Sequence, residues 1–254
     1  MIGSRDNARV KRWVKLARDS SLRREEKRAM IEGPHLVAEL LQAGLEPLAL
    51  LVSKSGLERR EIQKLIGKRE AVVLTDSVFK AVADADNPPG IAAEIEIPSP
   101  KVANSKCCVF LEGVQDPSNV GAILRCAAAF GVGEAVLDRG CADAWSPKVL
   151  RAAMGGHFRL GLRQVADLRG ELKDFAGLLL CTVPADGLPL RQAPLDGRLG
   201  WIFGAEGQGV SAAAAELAAV HVTIPMSAGS ESLNVAAAAA ICLYEAFNRR
   251  GARS

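Results

Sequence analysis

Short apolar strands alternate with helices along the second half of the chain, and this alternation constrains the fold more than any other feature. From Lys106 onward the strand segments read CCVFLEGV, EAVLD, LLLCTV, WIFG and VHVTIP, and helices are predicted at 119–130, 146–154 and 234–249. Strands that are apolar throughout are typical of a mainly parallel sheet covered on both faces by helices. Ligands of such sheets bind beyond the carboxyl ends of the strands, so we expect the informative residues where strands stop.

The first part of the chain reads as a smaller α/β domain, residues 1–97. It begins with a basic amphipathic helix from Ala8 to Arg18. A helix after Gly33 and Pro34 follows, and then strands and helices alternate. The stretch PSPKVANS, residues 98–105, is a linker by composition, which leaves 106–254 as the second domain.

The composition is typical of a soluble globular protein, with 49% hydrophobic and 24% charged residues in 254. No apolar run reaches the roughly 18 residues of a membrane span. The first residues lack an apolar h-region with a cleavage site, so we expect no secretory signal. The six cysteines form no CxxC pair, and no histidine lies at zinc-ligand spacing from them. We therefore expect a cytoplasmic protein without a metal or a disulfide.

The positive charge is concentrated at the start of the chain. Residues 1–30 contain ten Lys/Arg and four Asp/Glu, a net +6, whereas the whole chain carries +3. Such an asymmetry favours a polyanionic partner for this end of the chain. A solvated helix face without a partner explains the same charges equally well.

Residues 112–131, EGVQDPSNVGAILRCAAAFG, form the first segment with chemical content. Asn119 is predicted to cap a helix that Gly131 ends, and Gly121 leaves its first turn open to close approach. Arg125 stands alone in an otherwise apolar helix, where a buried, unpaired guanidinium would be very costly. It is either a structural arginine paired with a carboxylate or a site residue that meets a ligand.

Two further segments follow strand ends. In LGWIFGAEGQGVS, residues 199–211, three glycines surround Glu206, which is typical of a tight turn or of close backbone approach to a ligand. In residues 222–250 a strand stops at Pro225, and Ser232 or Asn234 caps a long helix that begins with an alanine run. That run favours close packing, either in the core or at a subunit interface.

Together, the three segments strongly resemble motifs 1, 2 and 3 of the SpoU/TrmH family of SPOUT RNA methyltransferases. The matching residues are N-x-G-A-x-x-R (Asn119 to Arg125), F-G-A-E-G-x-G (Phe203 to Gly209) and I-P-M…E-S-L-N-V (Ile224 to Val235). The resemblance covers roughly residues 106–250. Residues 1–97 resemble, more weakly, the substrate-binding domain often fused ahead of it, through RVKRWVKLA and IEGPHLVAELL.

The resemblance implies a trefoil knot in the C-terminal domain, a homodimer and S-adenosylmethionine as methyl donor. The cofactor contacts implied by motif position are Gly204, Ile224, Met226 and Leu233, with Thr182 and Val183 at the end of another strand. The implied catalytic residues are Arg125, Asn119, Glu206, Ser232 and Asn234. The basic first helix would contact RNA phosphates through Arg9, Lys11, Arg12 and Lys15. One departure is Ala228, where many family members have glycine.

The implied reaction is methylation of a ribose 2′-hydroxyl, with ribosomal RNA favoured over transfer RNA because the fused N-terminal domain is common among rRNA enzymes. Arg125 would either remove the hydroxyl proton or stabilise the developing oxyanion, and the second role suits a guanidinium better because its pKa is above about 12. Rival hypotheses are a base-nitrogen methyltransferase and an inactive RNA-binding module. A dehydrogenase has the least support, because this sequence lacks the GxGxxG signature of such enzymes.

Overall fold

The structure, a computed structural model, describes residues 1–100, 106–227 and 232–251, with side chains up to residue 250. Most of the predicted linker 98–105, position 228 and the last three residues lie outside the described part. The chain divides into two compact units: Met1–Pro98 with Trp145–Phe158, and Ser99–Ala144 with Arg159–Ser254. The domain limits 1–97 and 106–254 stay a prediction.

Helices and strands alternate along both units. The helices are α1 (Ala8–Arg18), α2 (Ser20–Glu26), α3 (Pro34–Gln42), α4 (Arg60–Ile66), α5 (Asp76–Val82), α6 (Pro117–Ala129), α7 (Pro147–Ala153), α8 (Leu168–Lys173), α9 (Ala212–Ala215) and α10 (Val235–Gly251). The strands are β1 (Arg28–Glu32), β2 (Ala49–Ser53), β3 (Ala71–Leu74), β4 (Ile91–Glu96), β5 (Cys107–Leu111), β6 (Glu134–Asp138), β7 (Gly161–Val165), β8 (Leu178–Thr182), β9 (Leu188–Pro189), β10 (Leu199–Phe203) and β11 (Val220–Thr223).

The first unit is built on a sheet of order β1-β4-β2-β3. Strand β4 runs antiparallel to both of its neighbours, and β2 and β3 are parallel. Helix α1 has the predicted limits, begins at the cap Asn7, and buries Val10, Trp13 and Leu16 against this sheet. The 3.6-residue spacing of these apolar side chains explains why the helix forms here.

A buried carboxylate fixes α1 to the sheet. Glu94 of β4 accepts hydrogen bonds of 2.8 Å from Trp13, Arg12 and Arg28. Burial opposes ionisation of Glu94, but these three donors together hold its pKa below the usual value. Arg12 also pairs with Glu26, so this arginine is engaged within the unit.

Helix α7 is grouped with the first unit, although its sequence lies within the predicted second domain. It begins at Pro147 after the cap Ser146, close to the predicted limits 146–154. Arg151 donates to Asp84 at 2.7 Å and lies 3.8 Å from the buried Glu32, whose pKa is raised by burial. These ion pairs explain why α7 packs with residues distant in sequence.

The second unit confirms the predicted parallel α/β architecture. Within the described residues its sheet has the order β7-β6-β5-β10-β8-β11-β9, and neighbouring strands are parallel throughout. The central strands β5 and β10 are buried along their whole length, as their apolar sequences predict. The expected trefoil knot stays a prediction, because residues 228–231 lie outside the described part of the chain.

The predicted cap of α6 is wrong. The helix begins at Pro117, and Asp116 is its cap, accepting from the backbone and hydroxyl of Ser118 at 2.8 and 2.6 Å. Proline at the first helical position explains the earlier start, because an N–H at that position would have no partner within the helix and proline has none to satisfy. Asn119 therefore lies inside the first turn with its side-chain amide free for other contacts. The predicted end is confirmed by Gly131, which has a φ of +69°.

The described segments contain no helix with the length and apolarity needed to cross a membrane.

Candidate functional site

A cavity of about 460 Å³ lies beyond the carboxyl ends of three neighbouring strands of the second unit. Strands β10, β8 and β11 are adjacent and parallel, so their carboxyl ends meet at one edge of the sheet. The loops after these strands and the start of α10 line the cavity. The six predicted cofactor residues all line it: Thr182, Val183, Gly204, Ile224, Met226 and Leu233. Its size falls within the range of about 300–1,000 Å³ common for small-molecule sites.

The glycine loop after β10 folds back so tightly that position 204 has no room for a side chain. A Cβ on Gly204 would lie 2.0 Å from the carbonyl oxygen of Gly209 and 2.2 Å from the amide nitrogen of Val210. Gly207 and Gly209 have φ values of +85° and +71°, which glycine adopts without strain. The loop is closed by a 2.8 Å hydrogen bond from the amide of Gly209 to the carbonyl of Ala205. Backbone groups therefore form this wall of the cavity.

A carboxylate at the end of β5 holds the far end of the same loop. Glu112 accepts from the backbone N–H and the hydroxyl of Ser211, at 2.8 and 2.7 Å. The Ser211 hydroxyl oxygen in turn accepts from the amide of Ala214 at 3.2 Å and so caps α9. Sequence reasoning missed both residues, since they are 99 positions apart. The position of Glu112 directly after a buried strand was the available signal.

A chain of side-chain hydrogen bonds links the three predicted motifs. The Asn119 Nδ2 donates to Glu206 Oε1 at 2.5 Å, and the Asn119 Oδ1 accepts from Asn234 Nδ2 at 3.0 Å. Asn234 also caps α10, since it accepts from the amides of Ala236 and Ala237 at 2.9 and 3.3 Å. Of the two predicted caps of this helix, Ser232 and Asn234, the structure therefore confirms Asn234. Glu206, Ser232 and Asn234 border the cavity. The structure thus brings together four of the five predicted catalytic residues.

Arg125 is exposed on α6 and does not line the cavity. It lies six residues after Asn119, which is about 9 Å along a helix axis. Its guanidinium makes no hydrogen bond or ion pair with any other residue that the structure describes. The alternative of a structural arginine paired with a carboxylate therefore finds no support, and this cation remains available to a ligand.

Metal chemistry and thiol chemistry find no support near the cavity. Residues 1–100, 106–227 and 232–251 contain no cluster of three His, Cys, Asp or Glu side chains that could hold a metal ion. Burial raises the pKa of Cys181, beside the cavity, to about 11, and that of Cys242 in α10 to about 12. Such thiols stay protonated near neutral pH and behave as small apolar side chains.

The side chains of α1 that are predicted to contact RNA differ in the partners that they have within the first unit. Arg12 is held by two carboxylates, Lys11 pairs with Asp6 at 2.9 Å, and Arg9 lies over the Trp13 ring at 5.0 Å. Lys15 is exposed. Arg12 is therefore an internal tie of the first unit in this structure.

Helix α10 presents large apolar side chains to solvent. Ile241, Tyr244 and Phe247 are 40%, 53% and 47% exposed, and they share one face of the helix. Phe130, at the end of α6, contacts the Tyr244 and Phe247 rings at centroid distances of 5.7 and 5.9 Å. Contiguous apolar patches of this kind mark interaction surfaces.

Comparisons with known proteins match both parts of the chain. The model of the SpoU rRNA Methylase family matches residues 106–244, and that of the MRM3-like substrate binding domain matches residues 7–93. The 23S rRNA (guanosine(2553)-2′-O)-methyltransferase RlmP of Bacillus subtilis is 35% identical over 245 residues, covering 96% of this chain and 97% of that protein.

Solved structures agree with these matches. The crystal structure of an RNA 2′-O ribose methyltransferase has a TM-score of 0.82 and 30% identity, and the match covers 98% of both chains. An AdoMet-bound rRNA methyltransferase from Sinorhizobium meliloti has a TM-score of 0.80 and 26% identity, over 98% of this chain and 97% of that one.

Proposed function

Since the chain belongs to the SpoU rRNA methylase family, we propose that it transfers a methyl group from S-adenosylmethionine to a ribose 2′-hydroxyl of ribosomal RNA. The observation that carries this proposal is the convergence of the three motifs. The glycine loop and the start of α10 line one cavity, and Asn119 in the first turn of α6 joins them through hydrogen bonds to Glu206 and Asn234.

The cavity suits S-adenosylmethionine by its construction. Its size is that of a small-molecule site, and the tight packing of the loop at Gly204 leaves no room for a side chain there, so backbone groups form this wall. Apolar side chains of Val183, Ile224 and Leu233 and the backbone of the glycine loop would hold the cofactor. When bound, it supplies an electrophilic methyl group on a sulfonium centre.

Arg125 is the residue that we assign to the acceptor. A guanidinium has five donors and, when charged, no acceptor. Arg125 therefore stabilises the developing 2′-oxyanion or holds the adjacent phosphate. The proton passes to water or to a neighbouring acceptor, and Glu206, held by Asn119 at one oxygen, offers such an acceptor.

We also propose that the enzyme is a homodimer that works in the cytoplasm. The exposed apolar face of α10, with Phe130 beside it, supports the dimer, because a monomer rarely leaves such a face in water. The free cysteines support the reducing compartment.

The test is transfer of labelled methyl from S-adenosylmethionine to purified ribosomal RNA, followed by alkaline hydrolysis. A 2′-O-methyl group blocks cleavage of the adjacent linkage, so the label is expected in alkali-resistant dinucleotides. Label in single nucleotides would instead assign the methyl to a base and overturn the ribose assignment. Label in transfer RNA alone would overturn the rRNA assignment.

Two variants of Arg125 distinguish its roles. Arg125→Lys keeps the positive charge, so it should retain substantial activity if the charge stabilises an oxyanion. Near-complete loss in Arg125→Lys, equal to that in Arg125→Ala, would show that the planar fork is required.

A further inference from the structure

Four cationic side chains surround a groove between α1 and α5 in the first unit. The groove has a volume of about 470 Å³ and is lined by Arg5, Lys11, Arg18 and Lys80. Val10, Val14 and Ala81 complete the lining. Polar rims around an apolar floor are suited to a ligand that carries both charge and a less polar body.

These cations have few partners of their own. Arg18 and Lys80 are exposed and make no hydrogen bond or ion pair within the described residues. Among the described residues, the Arg5 side chain donates only to the backbone carbonyl of Ser77, at 3.3 Å. Lys11 pairs with Asp6, but that pair is 63% and 90% exposed, so water and salt screen it. The groove therefore carries a surplus of positive charge.

Arg12, which follows Lys11 in α1, differs from the groove cations because carboxylates hold it. It is held by Glu26 and by the buried Glu94, so its charge is compensated inside the unit. Arg12 thus helps to build the fold. Lys11 and Arg18 of the same helix line the groove, Lys11 with only the exposed Asp6 as a partner and Arg18 with none among the described residues.

We propose that this groove binds the sugar–phosphate backbone of the RNA substrate, with phosphates on the four cations and riboses or bases over the apolar floor. The inference rests on the proposed function for the identity of the polyanion, and it adds Arg5, Arg18 and Lys80 to the residues that contact it. Four cations along one groove, with a single exposed carboxylate paired to them, match a strand with one charge per nucleotide. Phosphate contacts of this kind position RNA without reading its sequence.

The double variant Arg18→Gln with Lys80→Gln tests the proposal. Lys64→Gln with Lys68→Gln is the matched control, since both positions are exposed on or next to α4, remove the same charge and have no described ion pair. Lys64 lies in the last turn of its helix, as Arg18 and Lys80 do, so the control matches part of the loss of helix-dipole stabilisation. Thermal unfolding of the variants establishes that both remain folded.

The readout is the dissociation constant of a fluorescently labelled, single-stranded oligoribonucleotide, measured by anisotropy across a salt series. Each lost phosphate contact lowers the slope of log K against log salt by about 0.7, so the groove variant should lose about 1.4. Between about 50 and 200 mM salt, the factor by which affinity falls should therefore be about seven times smaller for the groove variant than for the unchanged protein. The control should keep the original slope.

An unchanged slope in the groove variant, or an equal loss in the control, would overturn the proposal. The experiments can refute the proposed methyl transfer and the proposed RNA contact of the groove independently. A protein that binds RNA through the groove but transfers no methyl group would refute the proposed function and leave the groove standing. A protein that methylates RNA with an unaltered salt slope in the groove variant would do the reverse.

Discussion

Substitution of Gly204 by alanine should weaken S-adenosylmethionine binding through backbone displacement alone. The added Cβ would lie 2.0 Å from the Gly209 carbonyl oxygen, whereas carbon and oxygen atoms ordinarily approach to about 3.3 Å. The loop must therefore retreat by about 1.3 Å at a wall built from backbone groups. Overpacking of this kind costs about 1–3 kcal/mol. If that cost falls on the bound state, the dissociation constant rises about 5- to 150-fold.

Isothermal titration calorimetry with S-adenosylmethionine measures this effect, and Gly207→Ala is the control within the same loop. Gly207 has open space around its Cβ position but a φ of +85°, so alanine there carries a conformational penalty of about 1–2 kcal/mol without a collision. Gly204 has no positive φ, so its penalty is steric. Urea unfolding separates loss of binding from loss of the fold. Unaltered affinity in a folded Gly204→Ala protein would refute the argument that this close approach shapes the cavity.

Three further predictions concern contacts away from Gly204. Glu112→Gln should raise the KM for S-adenosylmethionine about tenfold with little change in kcat, because the Ser211 donors lose a charged acceptor; a kcat loss at constant KM in steady-state assays would contradict this. Tyr244→Glu should convert a dimer to a monomer in analytical ultracentrifugation. The control Leu48→Glu, at a similarly exposed position of the first unit, should leave the dimer intact. Glu94→Gln should lower the free energy of unfolding by about 2 kcal/mol at neutral pH. Because the pKa of Glu94 is lowered in the fold, its contribution is complete above about pH 4.5 and disappears as the pH falls through the folded pKa, so urea unfolding at low pH should show a smaller difference between the two proteins.

Local sequence signals predicted the elements and the edge of the sheet where the cavity lies. The limits of α1 follow from the cap Asn7 and the apolar spacing of Val10, Trp13 and Ala17. The position of the cavity follows from parallel strands whose carboxyl ends are marked by Gly204 and Pro225, since the topology of such sheets leaves a ligand few other places.

Contacts between distant positions were not predictable in the same way. The basic character of the first helix predicts an RNA contact for Arg12, yet its partner Glu94 is 82 positions away. The attachment of α7 to the first unit depends on Arg151 and Asp84, which are separated by 67 positions. No local pattern distinguishes an arginine with a distant carboxylate from one that faces solvent, so only the fold separates the two sets.

The cap of α6 shows how a local error conceals a functional contact. If Asn119 capped the helix, its side-chain oxygen would accept from backbone amides of the first turn and could not also accept from Asn234 in the observed geometry. Asp116 takes that role, and Asn119 is released to donate to Glu206 and accept from Asn234. An aspartate in the position of Asn119 could accept but not donate, and it would place a second carboxylate against Glu206. The amide of asparagine suits this position because its nitrogen donates to the glycine loop while its oxygen accepts from the start of α10.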